Sequence, residues 1–303
     1  MAKSKNRVLQ LAEYATYRAI AAAVRRSSDQ TIARLGTRFG ALTGAVVRRR
    51  DTLALRNLAT AFPDKSEAEL RAILDACWRH FGRELLVYVK AQTYSLEELV
   101  ERVQFVNASL LEESRARGKG TIVISAHYGG WEMAALALMA LVSDALIVAR
   151  QLDNDYLERD LARLRARTGA EVVDRRRAAR SLMKTLRANG LVVLLPDQAV
   201  LPREGVLTPF LGRPAWTTPA PAKLALRQGS TIVFAFCIPD GNRHRLEFDE
   251  PIRVEQLSEA ERDPVALTTR INDVISRRIA ARPDLWLWMH DRWKGTDKRS
   301  ENG

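Results

Sequence analysis

Cysteine is scarce in this chain: its 303 residues include only Cys77 and Cys237. Two thiols cannot build a disulfide framework or a cysteine-ligated zinc site, so we expect a reducing compartment and no metal centre. Long hydrophobic runs are missing as well, because no uncharged apolar stretch reaches about 18 residues, the length that a membrane-spanning helix needs. The sequence therefore argues against a disulfide-rich secreted protein and against a membrane-spanning helix.

Acidic residues are also under-represented, with 36 Asp and Glu against 48 Lys and Arg, which gives a net charge of +12. Such a charge favours nucleic acid, anionic lipid or an acidic protein as a partner. The basic runs 48–50 and 175–180 keep a nucleic-acid-binding protein open as a competing class. That class has no further support, because the sequence lacks zinc-finger spacing, an RNP pattern and a Walker glycine loop.

The segment 8–24 is the part of the sequence that comes nearest to a targeting or membrane segment. It lies between basic residues, but it contains Glu13 and Arg18, and no small-residue cleavage site follows it. These features make it a poor signal peptide and a poor spanning helix. Two interpretations stay open: an amphipathic helix in the membrane interface, or a helix packed on its own domain.

Helical patterns dominate the first hundred residues. Ser28 begins a predicted helix that ends at Arg50, and a capping box of Ser66 and Glu69 begins another that runs to about Ala91. We interpret 1–100 as a helical region that precedes an α/β core over 101–303, the two forming one domain overall.

Beyond residue 120 the pattern changes to short apolar runs that alternate with helix-length segments. The predicted strands are 121–126, 145–149, 191–195, 231–236 and 244–248, and the predicted helices are 131–142, 155–167, 176–188 and 217–228. Continuous Val, Ile and Leu runs are typical of strands covered on both faces. The sequence therefore predicts an α/β fold with a mostly parallel, mixed sheet flanked by helices.

The segment TIVISAHYGGWE, 121–132, is the most informative for chemistry. A buried strand leads to His127, a Gly-Gly turn follows, and Glu132 falls in the first turn of the next helix. Ligands of open α/β sheets bind outside the carboxyl ends of strands, which is where His127 stands. A carboxylate on one imidazole nitrogen orients the ring and leaves the other to accept a proton, so His127 and Glu132 are a candidate base and its orienting partner. We expect the glycines to admit substrate and the helix amides to stabilise an oxyanion.

This His-x4-Glu segment resembles the His-x4-Asp/Glu motif of the bacterial lipid A late acyltransferases, whose superfamily includes mycobacterial phosphatidylinositol-mannoside and glycerolipid acyltransferases. Further blocks resemble that family in the same order along the chain: 48–69 (RRRDTLALRNLATAFPDKSEAE), 81–88, 149–167, 194–198 (LLPDQ), 209–225 and 283–294 (PDLWLWMHDRWK). The resemblance implies a glycerolipid-acyltransferase-like fold.

The resemblance also implies an activity: transfer of a fatty acyl chain from acyl carrier protein or coenzyme A to a hydroxyl of a membrane glycolipid, such as a lipid A precursor. His127 would be the general base and Glu132 its partner, with the acyl thioester as co-substrate and no other cofactor. The expected location is the cytoplasmic face of the bacterial inner membrane, on an anionic surface, with peripheral or weak anchoring. A lysophospholipid or another glycolipid remains an alternative acceptor.

Four further residues take supporting roles by the same resemblance. Arg165 aligns with a family arginine that positions substrate or neutralises charge, and Arg150 is a second candidate. Asp197, after the strand 191–195, is expected to pair with the arginine. Arg203 lies in the following loop and could meet the phosphopantetheine of the donor.

Aromatic residues concentrate near the carboxyl terminus, at Trp286, Trp288 and Trp293 around His290. They resemble a family signature, although such clusters usually belong to a core. His80 and His244 have no partner pattern, so the sequence assigns them no role.

Overall fold

Helices fill the amino-terminal third of the protein. The computed structural model describes residues 7–142, 144–149, 152–168, 171–174 and 178–296. The helices before the first strand are α1 (Arg7–Arg26), α2 (Asp29–Val46), α3 (Arg48–Ala61), α4 (Glu67–Ala91) and α5 (Leu96–Glu101). The predicted helical amino-terminal region is confirmed.

The helix predicted from Ser28 to Arg50 is in fact two helices. Ser28 caps α2 as expected, but Val47 leaves the helical region at φ −87° and ψ 61°, and α3 begins at the next residue. Consecutive β-branched residues lose side-chain freedom in a helix, which favours a break at this point. The capping box of Ser66 and Glu69 is present, and α4 ends at Ala91 as predicted.

A seven-stranded sheet forms the centre of the described structure, with the order β1-β9-β8-β2-β5-β3-β4. Its strands are β1 (Val103–Val106), β2 (Thr121–Ile124), β3 (Ala145–Ala149), β4 (Glu171–Asp174), β5 (Leu191–Leu194), β8 (Thr231–Asp240) and β9 (Arg243–Ile252). Strands β8 and β9 pair antiparallel, and β2 pairs parallel with both β5 and β8. The predicted mixed α/β sheet is confirmed.

Three parts of the strand pattern were not predicted. Strands β1 and β4 are short edge strands, and β6 (Val206–Phe210) and β7 (Arg213–Thr217) form a separate antiparallel hairpin. The helix predicted over 217–228 starts later, because Thr217 still belongs to β7 and Pro219 is the residue before α10. Proline fits the start of a helix, whereas the pairing of β6 with β7 holds the preceding residues extended.

The remaining helices cover both faces of the sheet. They are α6 (Ser109–Ala116), α7 (Trp131–Leu141), α8 (Asp155–Thr168), α9 (Ala178–Arg187), α10 (Ala220–Gln228) and α11 (Pro264–Ala281). Alternate residues of β2 enter different cores: Ile122 and Ile124 join a cluster with Leu74 of α4, whereas Val123 joins one with Leu136 of α7. This explains why the β2 segment is apolar without alternation.

Helix α1 packs on its own protein. Val24 is buried with Ile32 and Val89, and Tyr14 donates a hydrogen bond of 3.0 Å to Asp160 on α8. Other apolar residues of α1, such as Leu9, are exposed. Across the described ranges, the helices are too short or too polar to cross a bilayer.

Candidate active site

The register of two parallel strands brings His127 and Asp197 together. Ile124 of β2 pairs with Leu194 of β5 at the carboxyl ends of these strands. His127 follows Ile124 by the same number of residues as Asp197 follows Leu194, so both side chains leave the sheet at the same level. The two residues are 70 apart in the sequence and in direct contact in the structure.

Asp197 makes hydrogen bonds through both carboxylate oxygens. Its Oδ1 lies 2.9 Å from Nδ1 of His127, while Oδ2 accepts from the His127 backbone N–H at 2.9 Å and from the Trp286 indole at 2.9 Å. The Asp197 side chain is 1% exposed and that of His127 is 23% exposed. A buried carboxylate therefore holds the imidazole while the ring still reaches the surface.

The ionisation of this pair follows from its contacts. Burial disfavours the imidazolium, but the charge and hydrogen bond of Asp197, with the charge of Glu132, outweigh burial and raise the pKa of His127. Burial would raise the pKa of Asp197, yet the His127 charge and the hydrogen bonds from His127 and Trp286 lower it. Asp197 is thus ionised at neutral pH, and His127 is a stronger base than an isolated histidine.

The second imidazole nitrogen faces Gln198. The Gln198 amide nitrogen lies 3.2 Å from Nε2 of His127. A neutral imidazole that donates from Nδ1 to Asp197 presents Nε2 as an acceptor, which suits an amide N–H donor at that place. The arrangement selects the tautomer in which Nε2 can accept a proton.

The structure corrects one predicted pairing. The orienting hydrogen bond to Nδ1, expected from Glu132, is made by Asp197, and Glu132 acts on His127 through its charge. Among the described residues, the hydrogen bonds of Asp197 go to His127 and Trp286. The expected pairing of Asp197 with an arginine stays a prediction, because the side chains of Arg165 and Arg150 lie outside the described residues. Glu132 is exposed in the first turn of α7, whereas strand register carries Asp197 beneath the ring. A catalytic part for Glu132 stays a prediction.

The Gly-Gly turn serves protein packing. The N–H of Gly129 donates to the Leu285 carbonyl at 2.8 Å and that of Gly130 to the Cys237 carbonyl at 2.9 Å, so both amides are used inside the protein. Stabilisation of an oxyanion by the amides at the start of α7 stays a prediction. Gly129 has φ +59°, and a Cβ atom there would lie 1.8 Å from the Cys237 oxygen. The glycines therefore admit a neighbouring strand rather than substrate.

A buried ionic group lies under this turn. Glu84 of α4 is 2.8 Å from Nε2 of His244 and also pairs with Arg83, and a Cβ on Gly130 would meet both Glu84 and His244. Burial opposes ionisation of Glu84, but the hydrogen bond and charge of His244 lower its pKa to about 2. His244, to which the sequence assigned no role, thus helps to support the segment that carries His127.

Of the three arginines predicted for the site, the structure describes the side chain of one. Arg203 is exposed and lies 3.7 Å from Glu204. Arg165 lies in α8, but its side chain, like the whole of Arg150, is outside the described residues. Arg292, which was not predicted for the site, interacts with the charge of Asp197. It is buried and donates to the Trp216 carbonyl at 2.9 Å, and burial lowers its pKa to about 10.

The segment 286–291 forms one wall of the site. The N–H of Leu287 donates to the His127 carbonyl at 3.0 Å, and Nε2 of His290 accepts from the Ala199 N–H at 3.1 Å. Asn57 of α3 holds this segment by hydrogen bonds to the carbonyls of Trp288 at 2.8 Å and His290 at 2.7 Å. The aromatic block and the Asn57 block were visible in the sequence, but their contact was not.

The whole chain matches a known family. A model of the family described as "Bacterial lipid A biosynthesis acyltransferase" matches residues 1–295. The chain belongs to that family. This acyltransferase is 27% identical over 267 residues to the lipid A biosynthesis myristoyltransferase of Escherichia coli (strain K12). The alignment covers 86% of this chain and 79% of the relative.

Other similar proteins are named for different acyl chains or different lipids. The lipid A biosynthesis lauroyltransferase of Escherichia coli (strain K12) is 25% identical over 87% of this chain and 85% of its own. The phosphatidylinositol mannoside acyltransferase of Mycobacterium tuberculosis (strain ATCC 25618 / H37Rv) is 26% identical over 78% of this chain and 75% of its own. The crystal structure of the 1-acyl-sn-glycerophosphate acyltransferase PlsC from Thermotoga maritima aligns with TM-score 0.40 and 16% identity, covering 79% and 98% of the two chains.

Proposed function

We propose that His127 is the general base of an O-acyl transfer from a thioester to a lipid hydroxyl. The observation that carries the proposal is the buried Asp197 carboxylate on Nδ1, which leaves Nε2 as the proton acceptor. The hydroxyl oxygen bonds to the acyl carbon as Nε2 takes its proton. The carbon–sulfur bond then breaks, and the departing thiolate takes the proton back from His127.

This mechanism uses the chain's own side chains and the acyl thioester as co-substrate. Asp197 stabilises the imidazolium that forms during the reaction, and the Glu132 charge adds to that stabilisation. The buried thiols of Cys77 and Cys237 are poor candidates for a covalent intermediate, because burial raises the pKa of both. The acyl group therefore passes from donor to acceptor in one displacement through a tetrahedral intermediate.

The acceptor that fits the family is a membrane glycolipid, and a lipid A precursor is the first candidate. Relatives named for lipid A support it, while the relative named for phosphatidylinositol mannoside keeps another glycolipid as the alternative. Acyl carrier protein or coenzyme A is the proposed donor carrier, and the net charge of +12 suits either of these anionic carriers. Arg150, Arg165 and Arg203 are the proposed supporting residues for substrate.

A peripheral position on an anionic membrane, at the cytoplasmic face of the inner membrane, is part of the proposal. Helix α2 exposes apolar residues at helical spacing: Leu35, Phe39, Leu42 and Val46 are 47%, 48%, 68% and 78% exposed. Arg34 and Arg38 are exposed on the same helix. An exposed apolar stripe beside basic residues suits the interface of an anionic bilayer better than open solvent.

The test is transfer of a radiolabelled acyl chain by the purified full chain and by the variants His127→Ala and His127→Gln. A general base contributes about two to four orders of magnitude, so both variants should lose at least a hundredfold in kcat. Both variants should stay folded, and their binding to vesicles of phosphatidylglycerol should stay close to that of the wild type. Activity of either variant within about threefold of the wild type would contradict the assignment.

The competing class is tested with the same protein. Binding to phosphatidylglycerol vesicles, to acyl carrier protein and to duplex DNA is measured over a salt series. If the proposed function is correct, the protein binds the vesicles and acyl carrier protein, and salt weakens both interactions because exposed charges are screened beyond about 8–10 Å. Binding to DNA alone would favour a nucleic-acid-binding protein.

A further inference from the structure

Gln198 contacts the reacting nitrogen of the site. Its amide nitrogen lies 3.2 Å from Nε2 of His127, the atom that we propose as the base. Nε2 carries no proton in the tautomer that Asp197 selects, so the amide donates one N–H to it. The described parts of the chain give the Gln198 amide no other hydrogen bond, and its second N–H is therefore available beside Nε2.

The backbone on both sides of Gln198 is fixed by hydrogen bonds. Before it, Asp197 accepts from the His127 backbone N–H at 2.9 Å. After it, the Ala199 N–H donates to Nε2 of His290 at 3.1 Å. Burial lowers the pKa of His290, so this ring stays a neutral acceptor at pH 7. The Gln198 amide is thus carried by a backbone whose position is set before substrate arrives, as electrostatic stabilisation of a transition state requires.

The amide lies in the place that the acceptor hydroxyl must take. A hydroxyl that gives its proton to Nε2 needs the lone pair of that nitrogen, and this lone pair accepts the Gln198 N–H in the resting site. Gln198 must therefore turn its N–H away from Nε2 when the hydroxyl binds. The side chain is half-buried rather than enclosed, so a change of rotamer allows this movement.

The reaction places a negative charge on an oxygen in this same region. As the hydroxyl oxygen bonds to the acyl carbon, the π electrons of the carbonyl move to its oxygen, and Nε2 takes the hydroxyl proton. The oxyanion and the attacking oxygen are bonded to the same carbon, so a donor that lies 3.2 Å from Nε2 is within reach of the oxyanion. When the electron pair reforms the carbonyl, the carbon–sulfur bond breaks, and the thiolate takes the proton from His127.

We propose that the amide of Gln198 is a catalytic hydrogen-bond donor, which leaves Nε2 when the acceptor hydroxyl arrives and stabilises the oxyanion of the tetrahedral intermediate. A donor of this kind acts on a charge that exists only during the reaction, so it raises kcat rather than the affinity for either substrate. A neutral amide also adds no cation that would weaken His127 as a base. The inference rests on the proposed acyl transfer with His127 as the base.

The test measures kcat and KM over a range of pH for Gln198→Met and for the matched control Gln256→Met. Methionine has a similar length and removes both N–H groups. Gln256 is exposed in the short helix Val254–Gln256, which follows β9. The end of β9 pairs with Ile232 at the start of β8, at the opposite edge of the sheet from His127.

We expect Gln198→Met to lower kcat by about 10²–10³, the loss that follows removal of one oxyanion donor, while both KM values stay within about threefold of the wild type. Gln256→Met should keep the wild-type kcat. Gln198→Glu is the second variant: it keeps the shape of the side chain but replaces the donors by a negative charge. Its kcat should fall at least as far, because the carboxylate repels the oxyanion.

The pH profile separates this role from an effect on the base alone. In the free enzyme the Gln198 N–H favours neutral His127, so Gln198→Met should raise the pKa of His127 and move the acidic limb of kcat/KM to higher pH. The loss in kcat should persist on the plateau above the acidic limb, where His127 is neutral in every variant. A plateau kcat within about threefold of the wild type would overturn the inference and leave the oxyanion to the amides at the start of α7.

A binding measurement tests the inference without turnover. A long-chain alkyl phosphonate monoester is a tetrahedral monoanion that resembles the charged intermediate. Wild type and Gln256→Met should bind it at least about tenfold more tightly than Gln198→Met, since hydrogen bonds to charged groups contribute on that order. Equal binding would overturn the inference.

The His127 variants keep the two proposals apart. Transfer that survives in His127→Ala would refute the proposed function. A wild-type kcat in Gln198→Met, in an enzyme that His127→Ala inactivates, would refute only the inference.

Discussion

Replacing Asp197 by Asn removes the negative charge while it keeps the shape of the buried side chain. Oδ2 of Asp197 accepts hydrogen bonds from two fixed donors, the His127 N–H and the Trp286 indole. The Asn carbonyl oxygen must therefore take that position, which turns the amide NH2 toward Nδ1 of His127. Nδ1 then accepts a hydrogen bond, and the imidazole proton moves to Nε2.

A proton on Nε2 blocks the nitrogen that we propose as the base. We therefore expect Asp197→Asn to lower kcat by about three to four orders of magnitude, as a wrong tautomer does in other histidine–carboxylate sites. That loss corresponds to about 4–5.5 kcal/mol of transition-state stabilisation. KM should change little, because the substituted side chain is buried and keeps its shape.

The assay is the pH dependence of kcat for Asp197→Asn beside Glu132→Gln, a matched loss of one carboxylate charge at an exposed position. Glu132 raises the pKa of His127 through its charge, so Glu132→Gln should shift the acidic limb to lower pH and lower kcat by no more than about tenfold. A kcat for Asp197→Asn within tenfold of the wild type would refute the tautomer argument. An equal loss in the two variants would refute Asp197 as the orienting residue.

Three other predictions test the supporting structure. Gly129→Ala should lower the free energy of unfolding, measured in urea, by at least about 3 kcal/mol, because the new Cβ would lie 1.8 Å from the Cys237 oxygen at a φ of +59°. A loss of less than about 1 kcal/mol would contradict the packing role of Gly129. Glu84→Gln should cost about 3–5 kcal/mol at pH 7, since it breaks a buried pair with His244. The difference in unfolding free energy between wild type and Glu84→Gln should shrink below about pH 4.5, because a carboxylate whose pKa is lowered on folding, here to about 2, loses its stabilising contribution as the pH falls. A difference that stays constant with pH would contradict this role of Glu84. N-ethylmaleimide should leave the native protein unmodified and active, because Cys77 and Cys237 are fully buried; modification with loss of activity would reopen a thiol mechanism.

Local sequence predicted the features that depend on local forces. The apolar run of β2, the capping box before α4 and the position of His127 after a buried strand are set by side chains within a few residues of one another. The late start of α10 was not predicted, because the antiparallel pairing of β6 with β7 holds Thr217 in an extended conformation. The break at Val47 has a local cause, two consecutive valines, which the helical pattern on either side of it concealed.

The sequence by itself determined the fold class, the catalytic histidine candidate and the family, because apolar periodicity and an ordered set of motifs run along the chain. The tertiary structure alone decided which carboxylate orients His127. Glu132 was near in sequence, but the pairing of β2 with β5 carried Asp197, 70 residues away, beneath the ring. The contact of Arg56 with Asp291 could not be predicted for the same reason, since the two residues are 235 apart in the sequence and no local pattern records a contact that tertiary packing creates.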